Sequence, residues 1–156
     1  MMVHFNDIVS PDALATGLSV NGKKQLFQRI AALAADAYGL DADMVADALF
    51  DRERLGSTGF GGGVAIPHAK ITGLDKMCGV VVLLDPAAPF DAVDDLPVDI
   101  VFALLSPVDS GAEHLKTLAR VSRYLRDEAQ VARLRGARST GALHALLAGG
   151  GARDAA

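Results

Sequence analysis

Two almost uninterrupted apolar segments constrain the fold of this chain more than any other feature. Residues 78–84 read CGVVVLL, and residues 98–105 read VDIVFALL. Strands that are covered by helices on both faces have such compositions, because neither face needs polar side chains. The intervening residues 88–97, APFDAVDDLP, have the proline-rich chemistry of a turn. We therefore expect two strands inside a sheet that has helices on both sides.

Helices are predicted before and after these strands. Asn21 offers a side-chain oxygen to cap a helix that runs to about Tyr38, and Gly39 is placed to end it. Either Asp41 or Asp43 can cap a second helix. Three further helices are predicted over residues 110–127, 128–135 and 140–148, and short strands over residues 13–20 and 64–67. On the helix over residues 110–127, the predicted buried side consists of Leu115, Leu118, Val121 and Leu125.

The length of the chain suits one compact domain. Its 156 residues, 51% of them hydrophobic, can bury one substantial core, and no repeat or linker divides them. Strands with helices before and after them predict a single α/β layered domain over residues 1–156. Residues 149–156, GGGARDAA, offer little to bury and are predicted to form a mobile tail after a core that ends near residue 147.

Charge and composition exclude several classes of function. The net charge is −4 and the basic residues are dispersed, so no nucleic-acid surface is predicted. No apolar run approaches about 18 residues and no signal peptide precedes the domain, so we expect a cytoplasmic protein without membrane insertion. Cys78 is the single cysteine, which excludes an internal disulfide and predicts a small core residue.

A glycine-rich loop is the first candidate for a binding element. Residues 56–63, GSTGFGGG, contain five glycines, whose backbone can turn N–H groups toward an anion while Ser57 and Thr58 add hydroxyls. Arg52 or Arg54, just upstream, can form two parallel hydrogen bonds with phosphate oxygens. Alternatively, the glycines form a tight crossover and the arginines a solvated helix end, and composition alone favours this second interpretation.

Among the four histidines, His68 has the position expected of a reactive residue. It follows a predicted strand that Pro67 ends, directly downstream of the glycine-rich loop, and strand ends of this kind often face a cleft. His114 lies in the first turn of the long predicted helix, where unpaired N–H groups favour anions, although it can equally be a surface residue. Nothing beside His4 or His144 indicates chemistry.

The segments around the loop closely resemble a known family. RERLGSTG at residues 52–59 and GVAIPH at residues 63–68 are similar to the IIA domains of the bacterial phosphoenolpyruvate-dependent phosphotransferase system, particularly the nitrogen-regulatory branch of the fructose/mannitol class. PFDAVDDLPVD at 89–99, FALLSP at 102–107 and HLKTL at 114–118 resemble later family blocks in the same order. The likeness extends from about residue 6 to residue 147.

The resemblance implies a fold, a reaction and a set of site residues. The fold is a three-layer α/β/α domain with a mixed, mostly parallel sheet. His68 is the phosphoacceptor, modified on its tele nitrogen, His114 is the second histidine, and Arg52 lies at the site beside Gly56, Ser57 and Thr58. Gly62 departs from the family, which often has Asn there, so one loop hydrogen bond is in doubt.

The resemblance also implies the partners. The phosphoryl donor is an HPr-like carrier protein, and regulatory target proteins read the phosphorylation state, with neither cofactor nor metal required. The lack of an attached permease favours this regulatory role over the alternative, a sugar-specific IIA component that passes phosphate to a IIB domain. Two other hypotheses remain: a binding module that uses the fold without phosphorylation, and a histidine-ligated zinc enzyme. The sequence lacks the His-Glu-x-x-His motif that would favour the zinc enzyme.

Overall fold

The two apolar runs form neighbouring strands in the middle of a six-stranded sheet. The structure is a computed structural model and describes residues 5–149, so His4 and residues 150–156 of the predicted tail lie outside the described part. In chain order the elements are β1 (Val9–Leu18), α1 (Lys23–Tyr38), α2 (Ala42–Glu53), β2 (Gly59–Gly61), β3 (Val64–Ala65), β4 (His68–Ile71), β5 (Cys78–Ala88), β6 (Val98–Pro107), α3 (Gly111–Leu125), α4 (Glu128–Arg135) and α5 (Thr140–Leu147).

The sheet is mixed, with more parallel than antiparallel pairs. Its order is β1-β5-β6-β3-β2, and β4 also pairs with β6. The pairs β1–β5, β3–β6 and β4–β6 are parallel, whereas β5–β6 and β2–β3 are antiparallel. This arrangement confirms the mixed, mostly parallel sheet that the family resemblance implied.

Helices cover both faces of the sheet, which confirms the three-layer architecture. Val80 and Val82 of β5 pack into one apolar cluster with α1 and α2, while Val81 and Leu83 pack into a second cluster with α3, α4 and α5. Alternate side chains of a strand point to opposite faces, so a strand between two helix layers must be apolar throughout. Each fully buried Val or Leu side chain contributes about 1.5–3 kcal/mol to the free energy of unfolding, so this central pair of strands accounts for much of the core.

The starts of the first strand and the first helix differ from the prediction. β1 begins at Val9 rather than at residue 13, because it is an edge strand and therefore accommodates Pro11, which has no N–H to donate. The predicted Asn21 cap is wrong: Gly22 occupies the N-cap position, and the Asn21 backbone N–H donates to the Gln25 side chain at 2.7 Å. The predicted Asp41 cap is confirmed, since its carboxylate accepts from the N–H of Met44.

The segment before His68 is also shorter than predicted. β3 ends at Ala65, and a new strand, β4, starts at His68. Pro67 lacks an N–H and interrupts the ladder, although its carbonyl still accepts from the N–H of Leu104 on β6. His68 therefore begins a strand rather than following one.

The buried side of α3 is rotated from the predicted one. Leu115 is 66% exposed, so its predicted burial is wrong, whereas His114 and Thr117 are buried together with Val121 and Leu125. Positions 114, 117 and 121 lie on one side of a helix, and position 115 is about 100° away. Within residues 5–149, no helix combines the length and apolar character that crossing a membrane requires.

Candidate functional site

His68 is held at the start of β4, with a defined proton position. Its Nδ1 lies 2.8 Å from the carbonyl oxygen of Ile66. A carbonyl only accepts hydrogen bonds, so Nδ1 carries the ring proton of the neutral imidazole and Nε2 carries a lone pair. The half-buried ring thus presents an unprotonated nitrogen on its outer side.

Arg52, in the last turn of α2, faces that lone pair. Its Nε–H donates to Nε2 of His68 at 3.2 Å, and its Nη1–H donates to the carbonyl of Gly56 at 3.1 Å. Arg54, the other arginine considered from the sequence, instead forms an exposed ion pair with Asp51 at 2.7 Å. The structure therefore brings Arg52, and not Arg54, to His68.

His114, in the first turn of α3, places its ring next to that of His68. The ring centroids are 5.7 Å apart and the ring planes are inclined by 51°. His114 is 8% exposed, so the interpretation as a surface residue is wrong. Its Nδ1 lies 2.7 Å from the hydroxyl of Ser106, a buried residue near the end of β6.

The start of the glycine-rich loop is tied to a buried carboxylate. Glu53 accepts the N–H of Thr58 at 3.0 Å and its hydroxyl at 2.6 Å, and it pairs with Lys23 of α1 at 2.9 Å. The N–H of Gly56 donates to the Glu53 carbonyl, and the N–H of Gly59 donates to the Ser57 hydroxyl. Over residues 56–59, the N–H and the hydroxyl proton of Ser57 are therefore the donors that have no hydrogen-bond acceptor among residues 5–149. Fewer donors are free to bind an anion than the five glycines suggest.

The side chains around His68 line an open depression of about 490 Å³. Three other surface depressions have volumes of about 460, 500 and 510 Å³, so the chemistry of the lining rather than its size identifies this one. Within the described residues, no group of three His, Cys, Asp or Glu side chains is arranged to hold a metal ion, and His144 does not line the depression. The lining residues are Ala48, Asp51, Arg52, His68, Ala69, Lys70 and His114.

Three residues of this region were missed from the sequence. Lys70 lies two positions after His68 on β4, hence on the same face of the strand, and that spacing would have indicated it. Glu53 looked like part of a charged helix end, and Ser106 like a minor interruption of an apolar strand. Only the packing of α1 against α2 and of α3 against β6 reveals that both are buried and bonded.

Burial keeps both histidines neutral. Burial lowers the pKa of His68, and the nearby charge of Arg52 lowers it further against the opposing effects of the Ile66 carbonyl and Glu53. Burial also lowers the pKa of His114, with smaller contributions in the same direction from His68 and Lys70. Since an unperturbed histidine has a pKa of about 6.5, both rings are uncharged at neutral pH, and Nε2 of His68 keeps a lone pair that here accepts from Arg52.

Comparison with known proteins places this geometry in a family. The profile of the family described as "Phosphoenolpyruvate-dependent sugar phosphotransferase system, EIIA 2" matches residues 7–149. The nitrogen regulatory protein of Bradyrhizobium diazoefficiens is 45% identical over 142 residues, which are 91% of this chain and 93% of that protein. A fructose-specific EIIA component of Haloferax volcanii is 39% identical over 97 residues, which are 62% of this chain and 63% of that protein.

A solved structure gives the same result. The nitrogen regulatory protein IIA-Ntr of Neisseria meningitidis superposes with a TM-score of 0.85 at 32% identity, covering 91% of this chain and 97% of that one. The family profile matches nearly all of the described residues, and the alignment with the Bradyrhizobium protein includes most of that protein. The chain therefore belongs to the EIIA type 2 family of the phosphoenolpyruvate-dependent sugar phosphotransferase system.

Proposed function

We propose that the protein is a regulatory phosphocarrier of the cytoplasm. It accepts a phosphoryl group from an HPr-like carrier on Nε2 of His68, and its phosphorylation state controls target proteins. The observation that carries this proposal is the tautomer of His68, whose Nδ1–H is bonded to the Ile66 carbonyl while Nε2 faces the depression beside Arg52. Similarity to nitrogen regulatory proteins supports the regulatory role.

The transfer is balanced without an external acid or base. The donor phosphohistidine ring carries a proton on its other nitrogen and therefore a positive charge. Its P–N bond breaks, the electron pair returns to the donor ring, and that ring becomes a neutral imidazole. The lone pair on Nε2 of His68 forms the new P–N bond, and Nδ1 keeps its proton. The positive charge that develops on the His68 ring is stabilised by the Ile66 carbonyl at 2.8 Å. A neutral imidazole needs no activating base for this attack, unlike a serine hydroxyl.

Cationic and polar groups are placed to stabilise the transferred phosphoryl group. Arg52 donates to the lone pair that must attack, so its guanidinium has to turn aside and can then donate to the phosphoryl oxygens in the space it leaves. Lys70 lies on the same face of β4 as His68, and both Lys70 and His114 line the depression. The uncommitted donors of Ser57 are the part of the Gly56–Thr58 loop that this proposal uses.

Phosphorylation changes the electrostatics of a surface that a partner protein can contact. A phosphoryl group adds a charge of about −1.5 to −2 where Arg52 and Lys70 now dominate. Leu55 and Leu115, each next in the chain to a residue of the site, are 84% and 66% exposed and offer apolar contact area. A target that binds this surface would therefore distinguish the two states by charge.

The proposal is tested by phosphotransfer followed by intact-mass measurement. The protein is incubated with phosphoenolpyruvate and the general phosphotransferase proteins, alongside His68→Ala and the control His144→Ala. We expect one added phosphoryl group in the wild type and in His144→Ala, and none in His68→Ala. No gain in the wild type, or an equal gain in His68→Ala, would overturn the assignment.

A second candidate is a sugar-specific IIA component, which the similarity to a fructose-specific EIIA component favours. Its phosphoacceptor would be the same His68, so the mass experiment does not separate the two. Adding candidate IIB domains to the phosphorylated protein does. Rapid and complete transfer to a IIB domain would favour the transport role, whereas retention of phosphate in the presence of every IIB domain favours the regulatory one.

A further inference from the structure

Ser106 is a buried hydroxyl in β6, a strand whose only other polar side chain is that of Asp99. It is 0% exposed, and its neighbours Leu104, Leu105 and Pro107 are also buried. Its Oγ lies 2.7 Å from Nδ1 of His114. A serine at such a position is expected to have a specific hydrogen-bonding role, because an unpaired polar group there would be costly.

The direction of this hydrogen bond follows from the surroundings of Ser106. Within residues 5–149, Nδ1 of His114 is the one partner of the hydroxyl. Were the serine only to accept from an N–H at Nδ1, its own proton would have no acceptor in a site that water does not reach. Such unpaired buried donors are rare, so the hydroxyl donates to Nδ1. A neutral imidazole has a single ring proton, which must then lie on Nε2.

We infer that Ser106 is a positioning residue that holds His114 in the tautomer protonated on Nε2, so that His114 offers an N–H and not a lone pair to a phosphoryl group on His68. The two neighbouring rings thereby have opposite tautomers. The Ile66 carbonyl selects a nucleophilic Nε2 on His68, and the Ser106 hydroxyl selects a donating Nε2–H on His114. The tautomer itself does not depend on the proposed function, whereas its role toward the phosphoryl group rests on it.

The alternative states of His114 are less suitable for binding a dianion. The tautomer protonated on Nδ1 would direct a lone pair toward the phosphoryl oxygens, which repel it. A doubly protonated ring would also donate, but His114 is buried and lies near Lys70 and His68, and each of these factors disfavours its positive charge. A fixed neutral donor supplies the hydrogen bond without the cost of a buried charge.

The tautomer is measured directly by NMR. Long-range ¹H–¹⁵N correlation spectra of the ¹⁵N-labelled protein at neutral pH report which ring nitrogen of His114 carries the proton. We expect protonated Nε2 in the wild type, a mixture in Ser106→Ala, and restoration in Ser106→Thr, which keeps the hydroxyl. The control Thr117→Val removes another buried hydroxyl of the same region and should leave His114 unchanged. Protonated Nδ1 in the wild type, or an unchanged ring in Ser106→Ala, would refute the inference.

The role in transfer is measured by the rate at which His68 becomes phosphorylated. Ser106→Ala should slow the reaction roughly three- to tenfold, the effect of one net hydrogen bond, and Ser106→Thr should recover most of the rate. In a His114→Ala background the serine substitution should have no further effect, because it acts through that ring. A full rate in Ser106→Ala, or an equal loss without His114, would contradict the role. Failure of the wild type to accept phosphate would instead overturn the proposed function, while the NMR result would still decide the tautomer.

Discussion

Replacing Glu53 should separate the role of its charge from the role of its shape. The carboxylate is 8% exposed and accepts three contacts: the Thr58 N–H and the Lys23 ammonium at Oε2, and the Thr58 hydroxyl at Oε1. Glu53→Gln can keep its oxygen at the Oε2 position, and the Thr58 hydroxyl can rotate to accept from the new amide. The substitution therefore removes the charge and keeps the hydrogen-bonding pattern.

The two variants should differ clearly in stability. In Glu53→Ala the buried Thr58 N–H loses its acceptor at a cost of about 1–3 kcal/mol, and the loss of the other contacts brings the total to roughly 3–4 kcal/mol. Glu53→Gln loses only the charge interaction with Lys23. Because the Lys23 side chain is 21% exposed and solvent weakens this interaction, we expect the unfolding free energy to fall by about 1 kcal/mol. As a control, Asp51→Ala removes a pair of similar length at the surface and should cost about 0–1 kcal/mol.

Urea unfolding at neutral pH measures these differences, provided that the slope of unfolding free energy against urea is unchanged. Phosphorylation of His68 should slow in Glu53→Ala more than in Glu53→Gln, because the start of the loop loses its attachment and the Gly56 carbonyl no longer holds Arg52. A loss below about 1 kcal/mol in Glu53→Ala would refute the reasoning, since a buried donor would then have found another partner. Equal losses in the two variants would show that charge rather than geometry dominates.

Three further predictions concern the same region. Burial lowers the pKa of His68 and His114 in the folded protein, so below a pH of about 6.5 the unfolded chain binds more protons than the folded one. The unfolding free energy should therefore fall as the pH drops below about 6.5, and a rise in urea titrations on acidification would contradict this. Lys70→Met should slow phosphorylation roughly threefold without altering the urea midpoint, and an unchanged rate would exclude Lys70 from charge stabilisation. Gly62→Asn should change the unfolding free energy by no more than about 1 kcal/mol, because Asn tolerates a φ of +68° and a Cβ there meets nothing within 4 Å. Gly63→Ala should cost more than about 1 kcal/mol, because φ is +80° and its Cβ would lie 2.6 Å from Arg135 Nη2 and 2.9 Å from Asp99 Oδ1, so the ion pair between these side chains must shift; equal urea midpoints would refute the contrast.

The parts of the fold that local patterns determine were predictable from the sequence. The continuous apolar runs of β5 and β6 required two covered faces, and Asp41 precedes α2 at the position where a cap is needed. By contrast, the first four residues of β1 were not predicted, because a strand accommodates Pro11 only when it lies at the sheet edge. Leu115 was assigned to the wrong side of α3, because periodicity gives the width of a helix face but not which residues the neighbouring strand covers.

The candidate site was predictable in its residues but not in its contacts. The family resemblance implied that Arg52, His68 and His114 share one site, and the structure brings these three side chains together. The distance between the two histidines depends on β4 and α3 meeting across β6, which sequence spacing does not specify. Ser106 and Glu53 escaped notice because their importance comes from burial by other elements, and no local signal distinguishes a bonded serine or glutamate from an exposed one.

The central position of β6 has a consequence for the order of folding. This strand pairs with β3, β4 and β5, so three segments that are synthesised earlier depend on it for their hydrogen bonds. The β5–β6 hairpin is the most local of these pairings and can form early, whereas the parallel partners must close longer loops. Arg52 and His68 leave the ribosome before β6, and Ser106 and His114 arrive with it or after it. The nascent chain therefore carries His68 for some time before β6 and α3 exist to bury its ring and to bring His114 beside it.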